Sequence, residues 1–189
     1  MPEPGKLDQP SQPARSADEL LRRMAREDWA ASALLILVGS IAYLPLISKL
    51  GFYRDDWFLI WSGNSRGAGS IVDLFAIDRP FMGYLYSFTY SVLGDRAIAW
   101  HIYAFILRVL GGLAFFWLVR RLFPRERTAA FAMAVLFLVY PGFLQQPNAN
   151  TFQNHFFGYG AALASILLTV LALQSRSRRR AALLSILSL

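Results

Sequence analysis

The stretch AASALLILVGSIAYLPLISKL, residues 30–50, runs directly into GFYRDDW, residues 51–57, and this junction decides the fold. The first stretch carries a single cation, Lys49, at its end. At about 1.5 Å per residue a helix of that length reaches roughly 31 Å, the thickness of the hydrocarbon core of a bilayer. It reads as a membrane span. A cleaved signal peptide fits less well, because the apolar part starts only after a polar segment of 29 residues and is longer than the usual signal core of about 7–15 residues. We read it as a signal anchor whose last turns are loosened by Pro45. Just beyond it, Asp55 and Asp56 bring two carboxylates to the membrane surface. Acids are costly near hydrocarbon, so the pair points to work on a charged or sugar-bearing group at the interface.

Composition agrees with a membrane fold. The chain is 56% hydrophobic and 16% charged, against roughly 45–50% apolar and 25% charged in soluble domains, so an all-α polytopic transmembrane bundle is expected. The net charge of +7 could suggest nucleic acid. Its basic residues, however, sit in short clusters between apolar runs rather than on one water-facing stripe, and no nucleic-acid partner is expected. With no cysteine, disulfides, zinc thiolates and thiol nucleophiles are excluded. Phosphate-cradling glycine motifs, a dinucleotide fingerprint and a serine–histidine arrangement are also missing, which argues against a soluble nucleotide-sugar enzyme.

Residues 1–15 hold four of the nine prolines and read as a disordered tail. Ser16 and Glu19 have capping-box spacing ahead of a short amphipathic surface helix over 16–29. Its Arg22, Arg23 and Arg26 are roughly balanced by Asp18, Glu19, Glu27 and Asp28. Further spans are expected at about 97–119, 128–144 and 155–173. A fifth starts at 181 and is cut off at 189, which suggests a piece of a longer protein. Between the first two spans, loop 51–96 is expected to carry short interfacial helices over 70–77 and 80–93, with Pro80 tolerated in a first turn and Tyr84, Tyr86, Phe88 and Tyr90 suited to the headgroup zone. Arginines gather before the first span (Arg15, Arg22, Arg23, Arg26), after the second (Arg120, Arg121, Arg125, Arg127) and after the fourth (Arg176, Arg178, Arg179, Arg180). All three clusters fall on one side. The positive-inside rule makes that side cytoplasmic and loop 51–96 external, in the plasma (inner) membrane.

A cytoplasmic start, one span, an external loop opening on an acid pair, and then more spans resembles the start of the GT-C superfamily of integral membrane glycosyltransferases. The wording GFYRDDW at 51–57, Asp78-Arg79-Pro80 leading into an aromatic helix, Trp100-His101-Ile102-Tyr103, a second span ending at Arg120-Arg121-Leu122-Phe123-Pro124, and Tyr140-Pro141 is similar to its bacterial members. The resemblance covers roughly residues 30–173. It implies transfer of a sugar from a polyprenyl-phosphate donor, usually with inversion, to a glycan, lipid or protein acceptor on the external face, with membrane lipids around it. Carried over by position, the acid of the first loop is Asp55 or Asp56, a base or metal-contacting group. The family's variable C-terminal part has no counterpart in these residues.

Removing a proton from an acceptor hydroxyl needs one carboxylate within hydrogen-bond reach. Neighbours on a helix diverge by about 100°, so Asp55 and Asp56 are not expected to share one task. The alternative is that one caps a helix starting near Trp57. The pair alone has too few oxygens for a hard divalent cation; no cofactor is assigned and a divalent metal stays open. Arg79 is a candidate for the carrier phosphate, at a helix start where backbone amides are free; its alternative is an ion pair with Asp78 or a lipid phosphate, and Arg54 joins it as a substrate-binding candidate. Arg108, near the middle of the second span, calls for a buried partner or polar cavity, with snorkelling as the alternative. His101 lies on about the same face, seven residues earlier and nearer the outer surface, and completes the candidate substrate-binding set; a lone His there is more often a hydrogen-bonded interface residue than a catalyst. Gly111-Gly112 suits close helix approach. The amides of 145–154 suit sugar hydroxyls, and exposed loop polarity accounts for them equally well. Two rival readings remain: a transporter or flippase of lipid-linked saccharides, and a noncatalytic membrane scaffold.

Overall fold

The computed structural model describes residues 15–140 and 147–189, with residues 15–25 followed for their backbone alone. Among them the chain is helical, with no strand: α1 (Arg15–Ile47), α2 (Asp56–Arg66), α3 (Ser70–Leu74), α4 (Pro80–Leu93), α5 (Ala97–Leu122), α6 (Arg127–Val139), α7 (Gln153–Leu173) and α8 (Arg178–Leu187). Three stretches are long and apolar enough to cross a membrane: Arg26–Ile47 within α1, α5 and α7. The expected tail lies outside the described residues, apart from Arg15.

Three expectations about the bundle change. The surface helix over 16–29 and the first span are one helix, because no proline or glycine interrupts the chain between Arg15 and Gly39. Ser16 therefore lies inside α1, where it cannot be an N-cap. Helix α6 has 13 residues, about 20 Å of rise, which falls short of a crossing. The remainder of the expected 128–144 span, from Pro141 on, lies outside the described residues. Helix α8 begins at Arg178 rather than 181 and runs for 10 residues.

α5 is the centre of the bundle, packed most extensively on α7 and also on α6 and α1. Leu35 of α1, Val109 and Phe116 of α5, and Ala130, Ala134 and Leu138 of α6 form one apolar core. Small residues bring these helices together. A side chain at Gly111 would meet the Tyr159 ring of α7, and one at Gly112 would stand 3.3 Å from Leu138 of α6. At one end of the bundle Arg120 grips the Asp28 carboxylate with Nε at 2.9 Å and Nη2 at 3.2 Å. Arg127 joins from α6, with Nε 3.1 Å from Asp28 and a second ion pair to Glu27. These pairs neutralise Glu27 and Asp28, the acids of α1 next to its apolar stretch. At the other end α2, α3 and α4 pack through Leu59, Ile71 and Tyr86. The turn into α5 closes at Gly94, φ +62°, whose carbonyl accepts from Trp100 Nε1 at 2.8 Å. His101 and Arg120 are separated along α5 by about 29 Å of helix rise, close to the thickness of a hydrocarbon core of roughly 30 Å.

Candidate functional site

The acid pair opens α2, and its two members face different surroundings. Asp56 is the first residue of the helix, where a carboxylate is favoured by the helix dipole. It is fully buried. Oδ1 accepts the Thr151 amide at 2.7 Å and the Thr151 hydroxyl at 2.6 Å; Oδ2 takes the Tyr53 amide at 3.5 Å. Burial pushes the Asp56 carboxyl above its usual range, and the Thr151 and Tyr53 hydrogen bonds and the charge of His101 pull it back only in part. Asp55 occupies the N-cap position, yet makes no side-chain capping bond. The helix-cap alternative therefore holds for neither side chain.

Asp55 is exposed instead. With Arg54, Asn148, Thr151 and Phe152 it lines an open cleft. Arg54 has φ +49°, a left-handed conformation that costs a non-glycine residue about 1–3 kcal/mol and tends to survive where surrounding structure or function demands it. The turn at 53–56 holds it there, with the amides of Asp56, Trp57 and Phe58 bonded to the carbonyls of Tyr53, Arg54 and Asp55.

Thr151 joins the two external segments. Its carbonyl accepts the Tyr86 hydroxyl at 2.5 Å, and Tyr86 also donates to Asn154 Oδ1 at 3.1 Å. Burial drives the Tyr86 phenol far above its ordinary pKa, so it is a donor at any physiological pH. Phe75 stacks on its ring at 4.7 Å. Helices α2 and α4 and the turn before α7 thus share one polar junction.

His101 and Arg108 both line a narrow pocket, with Tyr43, Ile47, Ala104 and Phe105. His101 is buried, and its Nε2 donates to the Gly51 carbonyl at 2.9 Å, tying α5 to the exit of α1. Arg108 does not snorkel. Only 4% exposed, its guanidinium lies 4.5 Å from the Tyr43 ring centre and 4.4 Å from that of Phe156, and Nη1 donates to the Tyr43 hydroxyl at 3.1 Å. Tyr43 passes the interaction on, donating to the Leu138 carbonyl at the end of α6 at 2.7 Å.

The six expected site residues are therefore divided. Arg54 and Asp55 share the cleft, Asp56 lies beneath it, and His101 and Arg108 share the narrow pocket. Arg79 is exposed and paired with Asp78 at 2.6 Å. Its charge still acts on Tyr86, as does that of Asp56. Asp55 and Asp56 diverge, and among the described residues no group of three or more His, Cys, Asp or Glu side chains converges.

Exposed loop polarity fails as an account of the amide-rich turn. Asn148, Asn150 and Gln153 are buried, and both polar atoms of the Asn150 and Gln153 side chains lack a partner. Orphaned buried polar atoms cost about 1–3 kcal/mol each. Gln145 and Gln146 lie outside the described residues. Thr151, Tyr86 and Tyr43 are the residues that sequence reading missed. Tyr86 stood out only as one of a row of interfacial aromatics, and Thr151 is a lone hydroxyl among amides, 95 residues from Asp56. Comparison of the chain with protein-family models, with curated proteins and with solved structures finds no match.

Proposed function

We propose that the chain is the N-terminal part of a GT-C-type membrane glycosyltransferase that moves a sugar from a polyprenyl-phosphate donor to an acceptor at the external face of the plasma membrane. In this reading the N-terminus is cytoplasmic, loop 51–96 is external, the stretch 128–144 is a span, and α8 opens another. The observation that carries it is the division of the acid pair: Asp55 faces an open cleft beside Arg54, while Asp56 is buried under Thr151. A fully buried carboxylate cannot reach an acceptor hydroxyl without loop movement. Asp55 can.

Asp55 takes the hydroxyl proton, the freed oxygen attacks the anomeric carbon, and the bond from that carbon to the phosphate oxygen breaks. The carrier phosphate leaves with the electron pair. Arg54, in the same cleft, offsets the charge that builds on the departing phosphate. Asp56 acts through Thr151, fixing the turn that lines the opposite wall. The test is transfer from a lipid-linked sugar donor by the longer protein carrying Asp55→Asn or Asp56→Asn. Loss of turnover with unchanged thermal stability is expected for Asp55→Asn, and full activity in that variant overturns the assignment. The chain has no native cysteine, so thiols placed at Ser65 and at Arg125 should label from opposite sides of intact cells.

A flippase of lipid-linked saccharides is the second reading, favoured by the charge of Arg108 buried within α5. Movement of the labelled lipid across vesicles without sugar transfer would select it.

A further inference from the structure

The arginines of the Asp28 end fall into two populations. Arg120 and Arg127 are consumed by Asp28 and Glu27. Arg121, Arg125, Arg176, Arg178, Arg179 and Arg180 are exposed, and among the described side chains none of them pairs with an acid. Glu126 is the sole further carboxylate in segments 120–127 and 174–180. In sequence these six belong to two clusters about fifty residues apart, and a topology signal requires nothing more of them. Tertiary structure joins them: Gln174 Nε2 donates to the Arg121 carbonyl at 3.3 Å, which closes the turn after α7 onto the end of α5.

A second conflict sits in α8. Arg178, Arg179 and Arg180 occupy its first turn, where the helix dipole is positive and cations are disfavoured. The Ser177 hydroxyl already accepts the Arg180 amide at 3.5 Å, so the unbalanced charge lies on the guanidinium groups. Around them, Leu122, Phe123 and Leu173 are 51%, 57% and 82% exposed. A basic surface rimmed by apolar side chains at the last turns of two spanning helices matches a phosphate headgroup with its acyl chains alongside. A free phosphate would leave that rim unused.

We propose that this joined arginine surface is a binding site for anionic phospholipid, holding the headgroup phosphate between the end of α5 and the turn joining α7 to α8. Juxtamembrane arginines gain substantially near anionic headgroups, and planar guanidinium groups match phosphate oxygens in pairs. The site is separate from the cleft of Asp55 and does not depend on the transferase reading.

Native mass spectrometry of the detergent-purified chain measures retention of phosphatidylglycerol against phosphatidylcholine. Phosphatidylglycerol should bind at least about tenfold more tightly, and the preference should fall on raising salt. The triple variant Arg121→Gln, Arg178→Gln, Arg179→Gln should lose the preference, while its unfolding temperature in phosphatidylcholine stays that of the parent. If the triple variant does not fold, Arg178→Gln alone should show the loss in part. Equal retention of the two lipids, or undiminished preference in the folded variants, overturns the proposal. Protection against unfolding by inorganic phosphate equal to that by phosphatidylglycerol would overturn the lipid as ligand.

Discussion

Thr151 gives both its amide and its hydroxyl to one oxygen of Asp56, at 2.7 and 2.6 Å, across 95 residues of chain. This one contact anchors the turn before α7 to the start of α2, and with it the wall of the cleft to the acid pair.

Thr151→Val keeps the shape and the amide bond and removes the hydroxyl. A hydrogen bond to a charged group contributes about 1.5–3 kcal/mol. The variant should lose stability of that order, read by thermal unfolding in detergent. The Asp56 carboxyl should rise further, because the hydroxyl is among the contacts that hold it down.

The raised pKa of Asp56 sets the sign of a pH effect. Between its ordinary value, 3.8, and its raised value in the fold, the folded chain binds more protons than the unfolded chain, so this group's contribution to stability falls as pH rises. It is fully present below 3.8 and lost as pH climbs through the raised value. Unfolding temperatures measured from pH 4 to 7 should show that slope in the parent, and Asp56→Asn should remove it.

Tyr43→Phe leaves the ring under Arg108 and deletes the hydroxyl that receives Arg108 and serves the Leu138 carbonyl. Arg108 and the Leu138 carbonyl each lose one hydrogen bond, and about 0.5–3 kcal/mol should be lost for each. Arg108→Met, which removes the charge and retains the stem, should be milder than Tyr43→Phe if Arg108 is structural. Chemical denaturation of both variants ranks them.

The two glycines of α5 should differ. Gly111→Ala drives a methyl into the Tyr159 ring, whereas at Gly112 the added carbon stands 3.3 Å from Leu138 and needs only a small shift. Overpacking a tight core costs about 1–3 kcal/mol, so Gly111→Ala should lower the unfolding temperature clearly and Gly112→Ala little.

Apolar length and charge clustering determined by themselves that this is a helical chain with helices long and apolar enough to span a membrane near 30–50, 97–119 and 155–173, because burying a backbone in hydrocarbon leaves helices as the local solution and their length follows from bilayer thickness. The helix from Pro80 to Leu93 is equally local, set by a proline at its first turn and a glycine past its end. The continuity of α1 past Trp29 was open to a local reading, since no proline or glycine breaks it, but the partners of Asp28 and Glu27, Arg120 and Arg127, come from α5 and α6. The split of the acid pair was not legible. Asp55 and Asp56 have the same chemistry and adjacent positions, and only the docking of Thr151 buries one and leaves the other open. The guanidinium of Arg108 likewise required a partner in principle, but the rings of Tyr43 and Phe156 that supply it are brought to α5 from two other helices. Local pattern decides where a helix forms, and long-range packing decides which of its polar groups meets water, because that depends on what the rest of the chain lays over it.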